Sequence, residues 1–210
     1  MVNSKYKDRL FSFIFGNVEK KDWTLSLYNA VNHSSYTNPD EITLMTMEDV
    51  LYMGMKNDLS FLITNIISMY EQQSSYNPNM PIRKLMYAAR LYDKYIHQHK
   101  LNIYGTRQIY LPVPKLVTFY NGKENREEEI LELKNAFRTE DGKRIDVEAD
   151  IEVRVRMINI NYGRNRELME ACKPLFEYAW FIDRIREYGK IMDIEIAVVR
   201  LSMICQKNLK

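Results

Sequence analysis

The stretch DLSFLITNIISMYEQQ, residues 58–73, constrains the fold of this chain more than any other segment. Both halves of it alternate with the two-residue period of β-strands, and Thr64 and Asn65 lie at their junction. If these two residues form a tight turn, the segment is a β-hairpin in which Asp58 stands opposite Glu71, with Cβ atoms roughly 5 Å apart. A loop one residue longer destroys this pairing.

Two carboxylates that face each other at the end of a buried hairpin repel unless a proton or a cation lies between them. A divalent cation with oxygen ligands, Mg²⁺ above all, lets Asp58 and Glu71 both stay ionised. Such an ion polarises a phosphodiester and makes a bound water nucleophilic near neutral pH. Gln73 shares the face of Glu71 and can orient that water, while Lys56 can add positive charge. The alternative is structural: Glu71 and Gln73 lie at the wet end of a strand, and Asp58 caps a turn.

A basic segment follows the acidic pair. Residues 72–115 contain seven basic side chains and one acidic side chain, although the whole chain has a net charge of only +2. Its predicted helix places Arg83, Arg90 and Lys94 on one stripe, which suits contacts with a phosphate backbone. A solvated helix without a partner is the alternative. Several tyrosines in the segment can stack on bases, although half or more of them are expected to serve in packing (Tyr76, Tyr87, Tyr92, Tyr95 and Tyr104).

Hydrophobic periodicity predicts helices on both sides of the hairpin. Short helices are expected over 5–15, 23–31 and 46–53. A longer helix begins near Pro81, a residue that suits the first turn. Its predicted buried stripe consists of apolar and aromatic residues at helical spacing: Ile82, Leu85, Met86, Ala89, Tyr92 and Ile96.

The second half of the chain predicts two more strands and then helices. KLVTFYNG reads as a strand that ends in an Asn121–Gly122 turn, and 145–157 alternates apolar and charged residues as a half-buried strand does. Residues 164–188 predict a helix kinked or broken at Pro174, and a last helix follows. This order predicts an α/β chain with a mixed central sheet flanked by helices and a C-terminal helical segment.

Other candidate sites are weaker. The acidic row within 146–152 is a rival metal site, but its alternation with apolar residues indicates a solvated outer face. The three histidines have no ligand spacing, and Cys172 and Cys205 are expected to be reduced thiols, one or both of them buried. The sequence has no glycine-rich phosphate loop and no zinc motif. No early stretch suits a secretory signal or a membrane span, which predicts a cytoplasmic chain without membrane contact.

Several collinear stretches resemble the recombination-promoting nuclease family, whose members are often described as PD-(D/E)XK nuclease family transposases. The resemblance covers roughly residues 5 to 200, and the stretch from Tyr70 to Ile96 is its most specific part. The matching stretches are KDRLFSFIFG, MKNDLSFLI, YEQQSSYNPNMPIRKLMYAARLYDKYI, LPVPKLVTFYNG and INYGRN.

The resemblance implies a restriction-endonuclease-like fold with a D…E-x-K metal site on a β-hairpin. Asp58 then takes the first acid and Glu71 the second, while Gln73 stands where the wider superfamily has lysine. Because glutamine brings no charge, catalysis would be slower or would use Lys56 or Lys84. Asp8, on the first helix, matches an extra acid that some superfamily members place there.

These observations favour a Mg²⁺-dependent DNA endonuclease linked to recombination or mobile elements. The alternative is a nuclease-like fold that binds DNA or a protein partner without cleaving, which the missing lysine motivates. We expect residues 1–162 to form the nuclease-like domain, with 163–210 as C-terminal helices packed on it or extending it. DNA is the expected partner, and a homodimer would suit an enzyme that cuts both strands.

Overall fold

The structure is a computed structural model that describes residues 6–45 and 59–208. It contains a mixed six-stranded sheet with the strand order β1-β2-β3-β4-β6-β5. Strands β3, β4 and β6 run parallel, and the other neighbours are antiparallel. The strands are β1 (Ile42–Leu44), β2 (Leu59–Ile63), β3 (Ile66–Gln73), β4 (Val113–Tyr120), β5 (Glu129–Glu132) and β6 (Arg154–Asn159).

Helices flank this sheet, so the predicted α/β class with a mixed central sheet is confirmed. The helices within 5–15 and 23–31, the long helix and the last helix were all expected, whereas the helix expected over 46–53 lies outside the described residues. The helices are α1 (Tyr6–Phe15), α2 (Lys21–Asn32), α3 (Met80–Gln98), α4 (Arg166–Ala171), α5 (Lys173–Tyr188) and α6 (Ile194–Asn208).

The hairpin formed by β2 and β3 has the predicted two-residue connection. Ile63 pairs with Ile66 and Leu59 pairs with Tyr70, so the predicted register is confirmed over the described residues. Thr64 adopts a left-handed backbone with φ of 52°, which a β-branched residue rarely does. The register holds because a one-residue slip would move every apolar side chain of the hairpin to the opposite face.

The two faces of the sheet pack against different helices. On one face, Tyr70 and Phe119 join side chains of α1, α2 and α5 in the largest apolar cluster. Phe11 of α1 lies against Phe119, with ring centroids 5.3 Å apart. On the other face, Met69 packs against α3 in a smaller cluster. Because side chains alternate along a strand, Glu71 and Gln73 lie on the α3 face with Met69.

The buried stripe predicted for α3 is wrong at three of its six positions, while the other three are half-buried (Leu85, Tyr92 and Ile96). Ile82 and Met86 are exposed, at 41% and 43%, and Ala89 is also exposed. The helix instead buries a stripe displaced around its axis (Met80, Lys84, Tyr87, Ala88 and Leu91). Polar Lys84 and Tyr87 can occupy this face because their terminal atoms have polar partners there. The apolar residues alone therefore do not mark the centre of the buried face of this helix.

The strand predicted over 145–157 forms only at its end. Residues 145–153 are irregular, with Val147 77% exposed and Ile151 56% exposed, and regular pairing begins at Arg154. The physical reason is the length of the neighbouring strand: β5 pairs with β6 only from Arg154 to Met157. Without a second strand to complete its hydrogen bonds, an alternating sequence does not form a strand.

The helical region after β6 is divided as expected. The chain breaks at Cys172 between α4 and α5, and Pro174 lies in the first turn of α5. Leu175 and Ile182 of α5 belong to the largest apolar cluster, so this helix packs against the sheet. The boundary proposed at residue 162 stays a prediction. Within 6–45 and 59–208, no helix combines the length and apolar character needed to cross a membrane.

Candidate functional site

Glu71 is the most unusual side chain on the α3 face of the sheet. It lies near the carboxyl end of β3 and is only 1% exposed. An unpaired carboxylate at such a position would lose several kcal/mol of hydration, so its neighbours decide whether it can remain charged. Three polar side chains reach it, one from β3 and two from α3.

Gln73 and Arg83 both bind the same oxygen of Glu71. The Gln73 amide donates to Oε1 at 2.7 Å, from the next position on the same face of the strand. An Arg83 guanidinium nitrogen lies 2.5 Å from that oxygen and also donates to the Tyr87 hydroxyl at 3.3 Å. This oxygen is therefore held by one neutral and one cationic donor, and its position is fixed.

Lys84 approaches the other carboxylate oxygen. Its side chain is fully buried, and Nζ donates to the carbonyl oxygen of Met69 at 3.0 Å. The same nitrogen lies 3.5 Å from Glu71 Oε2, an ion-pair distance without hydrogen-bond geometry. Lysine is rarely fully buried unless it is paired, so this ammonium belongs to the same polar group as Glu71.

Two buried oxygens at this place have no hydrogen-bond partner among the described residues. One is Oε2 of Glu71, and the other is Oγ1 of Thr118, the residue that pairs with Glu71 across β3 and β4. Buried polar atoms in folded proteins are almost always satisfied, by protein groups, water or an ion. The arrangement can thus accept a further ligand that interacts with oxygen atoms.

The structure places the predicted site residues in different situations. Asp58 and Lys56 lie outside the described residues, so their predicted contact with Glu71 stays a prediction. Asp8 lies in the first turn of α1, on the sheet face opposite Glu71, and its predicted role is untested. Arg90 and Lys94 lie further along α3 and are half-buried.

Arg83 was predicted to contact a DNA backbone, and the structure places it against Glu71 instead of in open solvent. Its side chain is 29% exposed, so part of it still reaches the surface. Lys84, by contrast, entered the sequence argument only as a substitute for a missing charge. A lysine flanked by apolar helix positions was the available signal, but the apolar pattern assigned the helix face wrongly.

The rival site within 146–152 has the solvated character that its sequence indicated, since all four of its acids are exposed. Across the described parts of the chain, no three His, Cys, Asp or Glu side chains cluster closely enough to hold a metal ion. Cys172 is buried as expected, and burial raises the pKa of its thiol. Glu71 is therefore the strongest candidate for a metal-binding or catalytic residue.

Comparison with known proteins found no match to this chain. No protein-family model, no curated protein and no solved structure matches the chain. Function is therefore inferred from the residues around Glu71 and from the sequence resemblance described above.

Proposed function

We propose that this chain is a metal-dependent DNA endonuclease with a restriction-endonuclease-like fold, in which Asp58 and Glu71 are the metal-binding carboxylates. The observation that carries the proposal is the buried Glu71 carboxylate on a hairpin, with Gln73 and Lys84 beside it. Strongly desolvated charged groups gathered in one place are more frequent at functional sites than elsewhere. The α/β sheet flanked by helices is compatible with the proposed fold.

The donor set around Glu71 suits Mg²⁺. Oε2 is buried and accepts no hydrogen bond from any described residue, so its lone pairs are available to a cation that prefers oxygen ligands. The second carboxylate would come from Asp58, if the observed register continues by one pair beyond Leu59 and Tyr70. A bound Mg²⁺ would act as a Lewis acid on the scissile phosphodiester.

Lys84 would supply the positive charge that Gln73 lacks. Its ammonium reaches the Glu71 carboxylate from α3 and is held there by the Met69 carbonyl. From this position it can orient an attacking water or stabilise negative charge that develops on the phosphate. Gln73 would keep the Glu71 carboxylate in one orientation through its hydrogen bond to Oε1.

The DNA backbone would lie along the basic side of α3. Arg90 and Lys94 are the candidates for phosphate contacts, and contacts of this kind hold a duplex without reading its sequence. Arg83 would not contact the DNA backbone but would act at Glu71, because its guanidinium already binds Oε1 of that residue. Affinity for DNA should therefore fall steeply with salt concentration.

One observation favours a second candidate function, DNA or protein binding without cleavage. Arg83 and Lys84 both lie at ion-pair distance from Glu71, so its charge is balanced without a metal ion. A carboxylate with two cationic partners can serve purely to fix α3 on the sheet. In that case the nuclease-like fold would regulate or recruit a partner.

Cleavage of supercoiled plasmid in the presence of Mg²⁺ separates the two candidates. We expect the wild type to nick the plasmid and EDTA to abolish nicking. Glu71→Gln, which keeps the side-chain volume, should reduce the rate at least about a hundredfold, because several kcal/mol of transition-state stabilisation depend on the ion. Glu177→Gln is the matched control, since Glu177 is exposed on α5 and pairs only with Lys173 among the described ion pairs.

Two results would remove the proposed mechanism. Equal nicking by the wild type and a folded Glu71→Gln variant would show that this carboxylate has no catalytic role. Tight DNA binding without cleavage in either Mg²⁺ or Mn²⁺ would instead support the binding module. Circular dichroism of each variant excludes loss of the fold as the cause.

A further inference from the structure

A cavity of about 770 Å³ lies beyond the carboxyl ends of β4 and β6, apart from the residues that surround Glu71. Its walls come from the first turn of α1, the segments that follow β4 and β6, and the end of α5. Crevices outside the carboxyl ends of parallel strands are the usual ligand sites of open α/β sheets. Cavities that hold nucleotide-sized ligands have similar volumes, roughly 300 to 1,000 Å³.

Five basic side chains from four segments of the chain converge on this cavity: Lys7, Lys123, Arg164, Arg186 and Lys190. Two of the five are paired, Lys190 with Glu187 and Arg164 with Glu127. Three acidic side chains also line the cavity, and each of them has a basic partner. Glu124 pairs with Arg126, Asp183 with Arg184, and Glu187 with Lys190. The cavity therefore has an excess of positive charge that its own acids do not balance.

Arg186 is held in place at the wall of the cavity. One of its terminal nitrogens donates to Asn161 Oδ1 at 2.6 Å, and the other donates to the backbone and side-chain oxygens of Asn121. Asn121 is fully buried, so this support is rigid. The Nε–H group of Arg186 is buried and has no hydrogen-bond partner among the described residues. Because this group is closed off from the cavity, a ligand would meet the fixed charge of the guanidinium and the second N–H of the nitrogen that binds Asn161, and both fit an anion.

The protonation of Lys7 is affected by the same crowding of cations. Burial and the neighbouring charges of Arg186 and Lys123 lower the pKa of Lys7 to about 8, and Asp8 opposes them only in part. A nearby anion would stabilise the charged ammonium and raise this pKa again. Burial and the nearby cations therefore both disfavour the charged form of Lys7, and an anion in the cavity would oppose both effects.

We propose that this cavity binds a phosphate group, carried either by a free phosphate compound or by a nucleic-acid backbone. Arg186 would provide directed hydrogen bonds, while Lys7 and Lys123 would provide charge. Phosphate binding in this cavity requires no cleavage at Glu71. This proposal can therefore be tested independently of the endonuclease proposal.

Isothermal titration calorimetry with inorganic phosphate, at constant ionic strength with chloride, tests the site. We expect one phosphate per chain for the wild type. Lys123→Gln should weaken binding about tenfold, because a hydrogen bond to a charged group contributes about 1.5 kcal/mol. Lys123 is exposed on a turn, so this variant should fold. Lys173→Gln, at the opposite end of α5, is the matched control and should bind like the wild type.

A second variant separates binding from folding. Lys7→Met keeps the aliphatic stem but removes the partly buried ammonium, so it should lose phosphate affinity while its circular dichroism spectrum stays that of the folded wild type. A structural lysine would give the opposite pattern, with lower stability and unchanged binding. Unchanged binding in both Lys123→Gln and Lys7→Met, or no binding by the wild type to any phosphate probe, would overturn the proposal.

A short single-stranded oligonucleotide, used as the second probe, identifies the source of the phosphate group. Binding of both probes with the same dependence on Lys123 means that the phosphate group itself is recognised. Binding of the oligonucleotide alone, again weakened by Lys123→Gln, means that the ligand is a nucleic-acid backbone. Sulfate, whose charge is constant above neutrality, should bind more weakly as pH rises above about 8, where Lys7 loses its proton. An affinity for sulfate that is constant up to pH 10.5 would remove Lys7 from the site.

Discussion

Glu71 and Lys84 are the two charged residues that are buried in the described part of the chain, and packing alone does not explain their burial. Both side chains are almost fully enclosed, and each would be costly there without the other. Apolar residues of similar size would fill the same space, so the retained charges are the reason for assigning a function to this place. The candidate site therefore depends on this pair more than on the surrounding basic surface.

A double-mutant cycle measures the interaction of this pair directly. Glu71→Gln and Lys84→Met should each lower the free energy of unfolding by about 1–3 kcal/mol, because each leaves a buried partner unsatisfied. The double variant should lose less than the sum, with a coupling of about 1–2 kcal/mol in urea unfolding at pH 7. The exposed pair Lys173 and Glu177 is the control and should couple by less than about 0.5 kcal/mol. Additive losses at Glu71 and Lys84 would show that the two charges do not interact.

The sequence identified Glu71 and Gln73, named Lys84 only as a substitute for the missing charge, and did not identify Thr118. Glu71 and Gln73 followed from strand alternation, which fixes the face of a side chain once the register is known. The contacts of Lys84 and Thr118 with this place depend on how α3 and β4 pack on β3. Such contacts between distant segments leave no local pattern in the chain, and they appear only when the structure is known.

At the scale of the secondary-structure elements, the hairpin and α3 show when a periodic pattern is reliable. The hairpin was predicted correctly because both of its strands are buried and a register slip would move Glu71 and every apolar side chain to the opposite face, away from the side chains that they contact. The buried face of α3 was predicted wrongly because Lys84 and Tyr87 bury polar ends that a hydrophobic pattern counts as solvent-exposed. The strand expected over 145–157 is regular only from Arg154, because β5 pairs with β6 only from that residue onward.

Gly122 tests the packing of the segment after β4, which the sequence identified as a turn. A Cβ atom at this position would lie 2.2 Å from the hydroxyl oxygen of Tyr120, a fully buried side chain that cannot move aside cheaply. Gly122→Ala should therefore lower the free energy of unfolding by about 1–3 kcal/mol. Gly105→Ala is the control, since the nearest atom to its Cβ would be the flexible end of the Asn102 side chain at 3.3 Å. Equal melting temperatures for the two variants would contradict this packing.

At the scale of the whole molecule, the fold class followed from the order of the predicted elements, whereas the sheet order did not. The short strands β1 and β5 have three and four residues, too few for a clear alternation, so neither was predicted. The parallel pairing of β3, β4 and β6 also depends on contacts between distant segments. Charge distribution is the other whole-molecule property, because basic side chains concentrate along α3 and around the cavity beyond β4 and β6.

The basic side of α3 should determine how DNA affinity depends on salt. If Lys94 contacts a phosphate, Lys94→Gln should weaken binding to all duplex sequences alike. It should also reduce the slope of log affinity against log salt concentration by about one. Fluorescence anisotropy with a labelled duplex, measured between about 50 and 200 mM NaCl, gives this slope. Lys173→Gln is the control, and an unchanged slope for Lys94→Gln would exclude α3 as the backbone contact.

The most direct test of the central claim is calorimetric titration of the chain with Mn²⁺, an ion that also binds to oxygen ligands. If Asp58 and Glu71 share a cation, the wild type should bind one ion, and both Asp58→Asn and Glu71→Gln should abolish that binding. Glu148→Gln, in the exposed acidic row, should bind like the wild type. Undiminished Mn²⁺ binding by folded Asp58→Asn and Glu71→Gln variants would contradict a metal site on this hairpin.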